Sequence, residues 1–167
     1  MDALTTPRIG LAPSVVRFLL CAALVAAVSF VGARLTASEI PTWYAGLVKP
    51  GWTPPNIAFP IVWTTLYGLM AICLWRLWDR APQGPDRARA IWLFMLQLAL
   101  NGLWTPVFFS LHAVGPALAI LVALIVAVLA TMRLAFRADE VAGWLLIPYL
   151  PWLCYAASLN AAILFLN

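Results

Sequence analysis

Sixteen residues without a charge, Phe18 to Ala33, lie between Arg17 and Arg34, and the pattern recurs to the end of the chain. No Asp, Glu, Lys or Arg occurs from Pro50 to Trp75, from Ala90 to Met132, or from Val141 to Asn167. A membrane-spanning helix needs about 20 consecutive apolar residues. The 167 residues therefore divide into five spans, at about 18–33, 58–75, 90–111, 116–132 and 141–165, with the charges gathered outside them and only the turn around His112 parting the third from the fourth. Only 10% of residues are charged, against roughly 25% in soluble domains. The expectation is an all-α membrane protein, a single domain over residues 1–167 built as a bundle of five transmembrane helices. The first run resembles a signal peptide but continues to Ala33, too long for a typical h-region, and is read as a retained span.

The connections have distinct characters. Pro60 falls in the first turn of the second span, where its missing N–H costs nothing. DRAPQGPDRAR, Asp79 to Arg89, reads as a solvated loop broken by Pro82, Gly84 and Pro85. A tight turn is expected at His112 to Gly115, with Pro116 opening the fourth span, and a short loop at Arg133 to Glu140. Eight basic residues (Arg8, Arg17, Arg76, Arg80, Arg87, Arg89, Arg133, Arg137) fall on one side of such a bundle and two, Arg34 and Lys49, on the other. The positive-inside rule then puts the N-terminus in the cytoplasm if the chain sits in a bacterial inner membrane; an outer membrane remains an alternative. The net charge of +4 is read as this topology and not as a nucleic-acid footprint.

The first connection is unlike the others. Thr42 to Tyr67 carries Trp43, Trp52 and Trp63, Tyr44 and Tyr67, and prolines 50, 54, 55 and 60. Four prolines in eleven residues forbid a continuous helix between Pro50 and Pro60. A stiff aromatic object at the membrane surface is expected, a lid carrying Trp43, Lys49 and Trp52.

Inside the bilayer, polar side chains and helix breakers are informative. In the third span Gln97, Asn101, Trp104 and Phe108 share a helical face, and Pro106 deprives the Gly102 carbonyl of its helical partner. Two readings fit: glue between helices, or a pocket wall with a polar handle. Trp63 and Tyr67 are i, i+4 neighbours on the second span. On the last span Trp144, Pro148, Trp152, Ala156 and Leu159 share a face, while Pro148 and Pro151 free the Trp144 and Ile147 carbonyls. Trp75, Trp78 and Trp92 flank charged loops and read as interfacial anchors. Trp63, Trp104 and Trp152 lie among apolar turns and suggest a slot for a flat apolar ligand.

Other chemistry is poorly served. His112 is the only histidine, so one chain cannot provide bis-histidine haem ligation, and no metal site is expected. No Asp or Glu falls inside a span. Cys21, Cys73 and Cys154 lie in apolar runs without CxxC spacing and read as packing residues. The small residues Gly102, Ala117, Ala119, Ala123 and Ala127 permit close helix packing.

Four stretches, WYAGLVKPGWTPP, FPIVWTTLYGL, LALNGLWTPVFF and WLLIPYLPWLCYAASLN, taken in that order, resemble the TspO/MBR family of tryptophan-rich sensory proteins and mitochondrial translocator proteins. The resemblance covers most of the chain from Trp43 onward. It implies a five-helix bundle, commonly a homodimer, that binds porphyrins such as protoporphyrin IX or haem as ligands, with no obligatory cofactor. Isoquinoline-carboxamide and benzodiazepine-type ligands are also implied. By position, Trp63 and Trp152 match the family's pocket tryptophans, linked to porphyrin binding and its light-dependent breakdown. Tyr44, Pro54, Tyr67, Asn101, Trp104 and Ala156 match other pocket positions. Phe108 joins them by its place on the third-span face. The cholesterol motif of animal members needs a basic residue after the last-helix tyrosine, and none follows Arg137, so sterol is not an expected partner. The leading expectation is a porphyrin-binding sensor or carrier in contact with membrane lipid. The alternatives are a light- and oxygen-dependent porphyrin-degrading enzyme working through Trp63 or Trp152, a transporter of porphyrins or lipids, and a purely structural assembly role.

Overall fold

The computed structural model describes residues 11–167; Arg8 lies outside the described residues. Seven α-helices follow in order: α1 (Leu11–Glu39), α2 (Trp43–Gly46), α3 (Ala58–Asp79), α4 (Pro85–Thr105), α5 (Val114–Ala138), α6 (Glu140–Leu146) and α7 (Tyr149–Leu166). A π-helical turn, Pro106–Ser110, extends α4, and α6 and α7 together make one broken span. Among the described residues five helical segments are long and apolar enough to cross a membrane, so the chain is a multi-pass integral membrane protein.

Every helical span is longer than expected and takes in at least one charged residue. The helix predicted over 18–33 reaches from Leu11 to Glu39 because Arg17 need not leave it: its Nη1 lies 3.1 Å from Asp79 Oδ1. Arg76 likewise stays within α3, making a bidentate pair with Asp139 at 2.9 Å through both Nε and Nη2. The expected loop over Asp79–Arg89 shrinks to residues 80–84, since Pro85 occupies the first position of α4. The expected Arg133–Glu140 loop reduces to Asp139, which ends α5 and caps α6 by accepting from the Ala142 N–H at 2.8 Å.

Both proline breaks are absorbed locally. After Pro106 the ladder shifts register, and the Leu111 N–H donates to the Pro106 carbonyl at 2.9 Å, the i→i+5 bond of a π turn. In the last span the carbonyls freed by Pro148 and Pro151 accept from i+3 instead: Ile147 N–H to Trp144 at 3.2 Å, and Leu150 N–H to Ile147 at 3.3 Å. The resulting bend separates α6 from α7. Trp144 consequently leaves the face it was expected to share with Trp152; it is exposed, packs edge-on against Phe136 and donates to Glu140.

The core runs through the middle of the bundle, where Met70, Cys73, Leu77, Phe94, Leu98, Leu121, Val128 and Leu153 are buried. Gly102 receives Val28 of α1, and Ala117 and Ala127 are buried within the chain, so these three small residues serve packing inside the bundle. Cys21 and Cys73 are buried as expected, but Cys154 is exposed on the outside of α7. Trp92 and Trp78 are exposed, Trp78 with the Arg17 guanidinium carbon 5.8 Å from its ring centre. Trp75 instead packs edge-on against Phe18 and donates to the Ser14 carbonyl at 3.2 Å, tying α1 to α3.

The course of α1 shapes the whole molecule. Its first half lies on α3, where Ser14 Oγ donates to the buried Asp79 at 2.7 Å. Its second half lies on α4, where Gly32 faces Thr105 and Val28 faces Gly102. Helix α1 therefore departs from α4 at the arginine-rich end of the bundle and from α3 at the opposite end. An opening results on each side.

Candidate functional site

The opening at the arginine-poor end is a cavity of about 340 Å³ between α1, α3, α4 and α7, partly roofed by α2. Of the residues singled out in sequence, Tyr44, Trp63, Tyr67, Asn101, Trp104, Phe108, Trp152 and Ala156 line it. Residues over 100 positions apart meet here because the antiparallel spans bring the start of α3, the end of α4 and the middle of α7 to one depth.

The walls are aromatic and interlocked. Trp63 lies 5.5 Å from Tyr67 and meets Trp152 edge-on at 6.3 Å and Tyr149 at 6.2 Å, centroid to centroid. Trp104 stacks on Phe108 at 5.1 Å. These are the spacings that ring quadrupoles favour. Two polar links cross the walls. Tyr67 donates to Asn101 Oδ1 at 2.6 Å, and Asn101 Nδ2 donates to the buried Tyr149 hydroxyl at 2.6 Å, joining α3, α4 and α7. Trp104 Nε1 donates to Asn160 Oδ1 at 3.2 Å, while Asn160 Nδ2 satisfies the Val114 carbonyl at 2.8 Å. Asn101 is thus both helix glue and part of the cavity wall. The buried Trp152 Nε1 has no hydrogen-bond partner.

Some expected residues stand elsewhere. Gln97 shares the Asn101 face but lies deeper, fully buried beneath the cavity, with Nε2 3.8 Å from Met70 Sδ. Pro54, Trp43, Lys49 and Trp52 do not line the cavity. Trp43 sits behind it, stacked on His112 at 4.2 Å and edge-on to Phe108. Lys49 holds the loop from within, donating to the Tyr44 carbonyl at 2.6 Å and the Leu47 carbonyl at 2.9 Å, with its Nζ 4.7 Å from the Tyr44 ring centre. Trp52 is exposed, and its carbonyl accepts from the Tyr155 hydroxyl at 2.8 Å. His112, with φ of 53°, faces Glu39 at 3.1 Å and does not line the cavity. Among the described residues no cluster of three or more His, Cys, Asp or Glu could hold a metal.

Sequence reasoning missed the α1 wall altogether: Ser29, Gly32, Ala33, Thr36, Ala37 and Ile40. Their spacing of three and four marks a face of small side chains, a visible signal that does not say whether a helix, lipid or a ligand fills it. Asn160 was also missed, though an Asn in an apolar run is informative by itself.

The charged groups stay at the ends. Burial pushes the Asp139 carboxyl up, but the Arg76 guanidinium and the Ala142 N–H outweigh it and hold it below the usual carboxylate value. The cavity wall therefore offers stacking faces and a few amide, hydroxyl and indole groups, with no carboxylate, thiol or imidazole.

Comparison with known proteins agrees with this architecture. A family model described as TspO/MBR matches residues 20–166. The chain is 41% identical over 143 residues to the tryptophan-rich protein TspO of Archaeoglobus fulgidus, covering 86% of this chain and 92% of that protein. It is 40% identical over 136 residues to the tryptophan-rich sensory protein of Cereibacter sphaeroides, covering 81% and 82%. With the human translocator protein the identity is 37% over 135 residues, covering 80% of each.

Proposed function

The chain belongs to the TspO/MBR family of membrane sensory and translocator proteins, and from that premise we propose that it is a receptor for porphyrins such as protoporphyrin IX or haem. The observation that carries this reading is the wall of Trp63, Tyr67, Trp104, Phe108 and Trp152 around one cavity. A flat conjugated ring gains from stacking there, at about 0.5–1.5 kcal/mol per aromatic partner beyond its buried area. Asn101, Asn160 and the unpartnered Trp152 N–H supply orientation. No imidazole or thiol lines the wall, so stacking, and not a histidine or cysteine ligand, holds the macrocycle. In this reading Trp43 to Pro55 acts as a lid: Tyr44 touches the cavity, and Lys49 braces the segment. Isoquinoline-carboxamide and benzodiazepine-type compounds suit the same wall.

Titrating protoporphyrin IX into the purified chain and following its Soret band tests the reading. Trp63→Ala with Trp152→Ala removes two stacking partners, about 1–3 kcal/mol, and should weaken binding about five-fold or more. Unchanged affinity in that double variant would remove the cavity from consideration.

A second reading is favoured by the cluster of oxidisable rings, since Trp63 touches Tyr67, Tyr149 and Trp152. Such a cluster suits light- and oxygen-dependent breakdown of a stacked porphyrin. Illuminating the complex beside free porphyrin separates the two readings: bleaching no faster than that of the free dye leaves binding alone.

A further inference from the structure

We propose that the opposite opening, between α1 and α4 at the arginine-rich end, binds an anionic phospholipid, with one acyl chain in the groove and the phosphate at Arg87. The groove encloses about 550 Å³ and shares no lining residue with the aromatic cavity. Leu20 and Leu24 of α1 form one side, Ile91 and Met95 of α4 the other, and Leu74 of α3 the floor. Gln83 and Arg87 stand at its polar end beside Trp78.

Three observations select this ligand. The first is shape. The walls close from Met95 to the Val28–Gly102 contact, about two helical turns further along α4. A cleft that narrows so quickly excludes a second helix about 10–12 Å across and suits a single hydrocarbon chain. The second is the state of Arg87. Its Nη2 donates to the Trp78 carbonyl at 2.7 Å, which fixes the guanidinium at the groove's end. Arg17, Arg76 and Arg80 are each paired with a carboxylate, whereas among the described residues Arg87, Arg89, Arg133 and Arg137 have none within ion-pair distance, and of these four only Arg87 lines the groove. A held guanidinium with free N–H groups matches a phosphate in charge and in fork geometry. The third is location. The basic residues gather at this end of the bundle, and a basic membrane-flanking surface draws anionic lipid to it.

The test is native mass spectrometry of the full chain released from mixed micelles of phosphatidylglycerol and phosphatidylcholine. The expected result is one retained phosphatidylglycerol in preference to phosphatidylcholine, not displaced by excess inorganic phosphate. Arg87→Gln should reduce that retention about five-fold, the weight of one basic residue at an anionic surface. Arg87→Lys, which keeps the charge but loses the fork, should fall between the native chain and Arg87→Gln, and Arg137→Gln, at the same end but outside the groove, should leave it unchanged. Ala88→Trp, which fills the groove from an exposed position, should expel the lipid while protoporphyrin binding at the other cavity persists. Equal losses from Arg87→Gln and Arg137→Gln would reduce the effect to bulk charge and overturn the proposal. Displacement by inorganic phosphate would overturn it in favour of a free anion site. Loss of a dimer, with lipid retention intact, in the Ala88→Trp chain would assign the groove to a second copy.

Discussion

Replacing Asn101 with leucine tests whether one residue both ties the bundle together and forms part of the cavity wall. The substitution keeps the branched shape and the number of side-chain heavy atoms, so the main cost comes from polar groups left behind. Tyr149 is 1% exposed and its hydroxyl loses the amide that now donates to it at 2.6 Å. A buried hydroxyl without a partner costs about 1–3 kcal/mol. Tyr67 loses its acceptor at 2.6 Å, but it borders the cavity, and an interhelical bond of this kind in a membrane protein averages only about 0.6 kcal/mol. The sum is roughly 1.5–3.5 kcal/mol. Reversible unfolding of the purified chain, titrated from a mild detergent into SDS and followed by far-UV circular dichroism, reads that loss. The diagnostic measurement is the cycle with Tyr149→Phe. Alone, Tyr149→Phe strands the Asn101 amide; combined with Asn101→Leu it leaves no orphaned group on that side. The double variant should therefore be more stable than the sum of the single losses by about 1 kcal/mol. Losses that add to within about 0.3 kcal/mol would refute the coupling, and with it the claim that the Asn101–Tyr149 bond joins α4 to α7.

Other expected outcomes follow from individual contacts. The folded-state carboxyl of Asp139 is held below its unfolded value, so its contribution is complete above about pH 4, the ordinary Asp range, and is lost as pH falls through the folded value. Asp139→Asn should flatten that part of the stability–pH curve, read by thermal unfolding between pH 3 and 7. A Cβ on Gly143 would lie 2.5 Å from the Phe136 ring, so Gly143→Ala should destabilise by about 1–3 kcal/mol. With Phe136→Ala in place the same change should stabilise, by up to about 1 kcal/mol of helix propensity, in the same unfolding assay. Trp144 faces outward beyond the bend while Trp152 lines the cavity. Trp144→Ala should leave the protoporphyrin dissociation constant unchanged, and Trp152→Ala should raise it about two-fold or more by absorbance titration.

Four charge-free runs, the third divided at the turn before Pro116, determined the five spans and their order, because a charged side chain has few ways to remain within hydrocarbon. They underestimated each helix for a physical reason. A charge ends a membrane crossing but not a helix, and Arg17 and Arg76 stay helical by pairing with Asp79 and Asp139 across the bundle. Those pairs join residues more than 60 positions apart. Which tryptophans face inward was legible for Trp63, Trp104 and Trp152, which sit among apolar turns. It failed for Trp144, whose direction depends on a bend at Ile147–Pro148 that redirects two carbonyls to i+3 donors. Pro54, matched to a pocket position by resemblance, stands outside the cavity wall.

What the sequence determined by itself is the class of the fold and the set of aromatic and amide side chains, Trp63, Tyr67, Asn101, Trp104 and Trp152, that meet at one cavity. What only the tertiary structure decided is where α1 lies. Helix α1 is apolar on nearly every side because lipid and protein interior reward the same side chains, so its periodicity names no partner. Its crossing from α3 to α4 is fixed by Ser14 on Asp79 at one end and by Gly32 and Gly102 receiving Thr105 and Val28 at the other. That oblique course creates both the aromatic cavity and the basic groove, one on each side of the same helix.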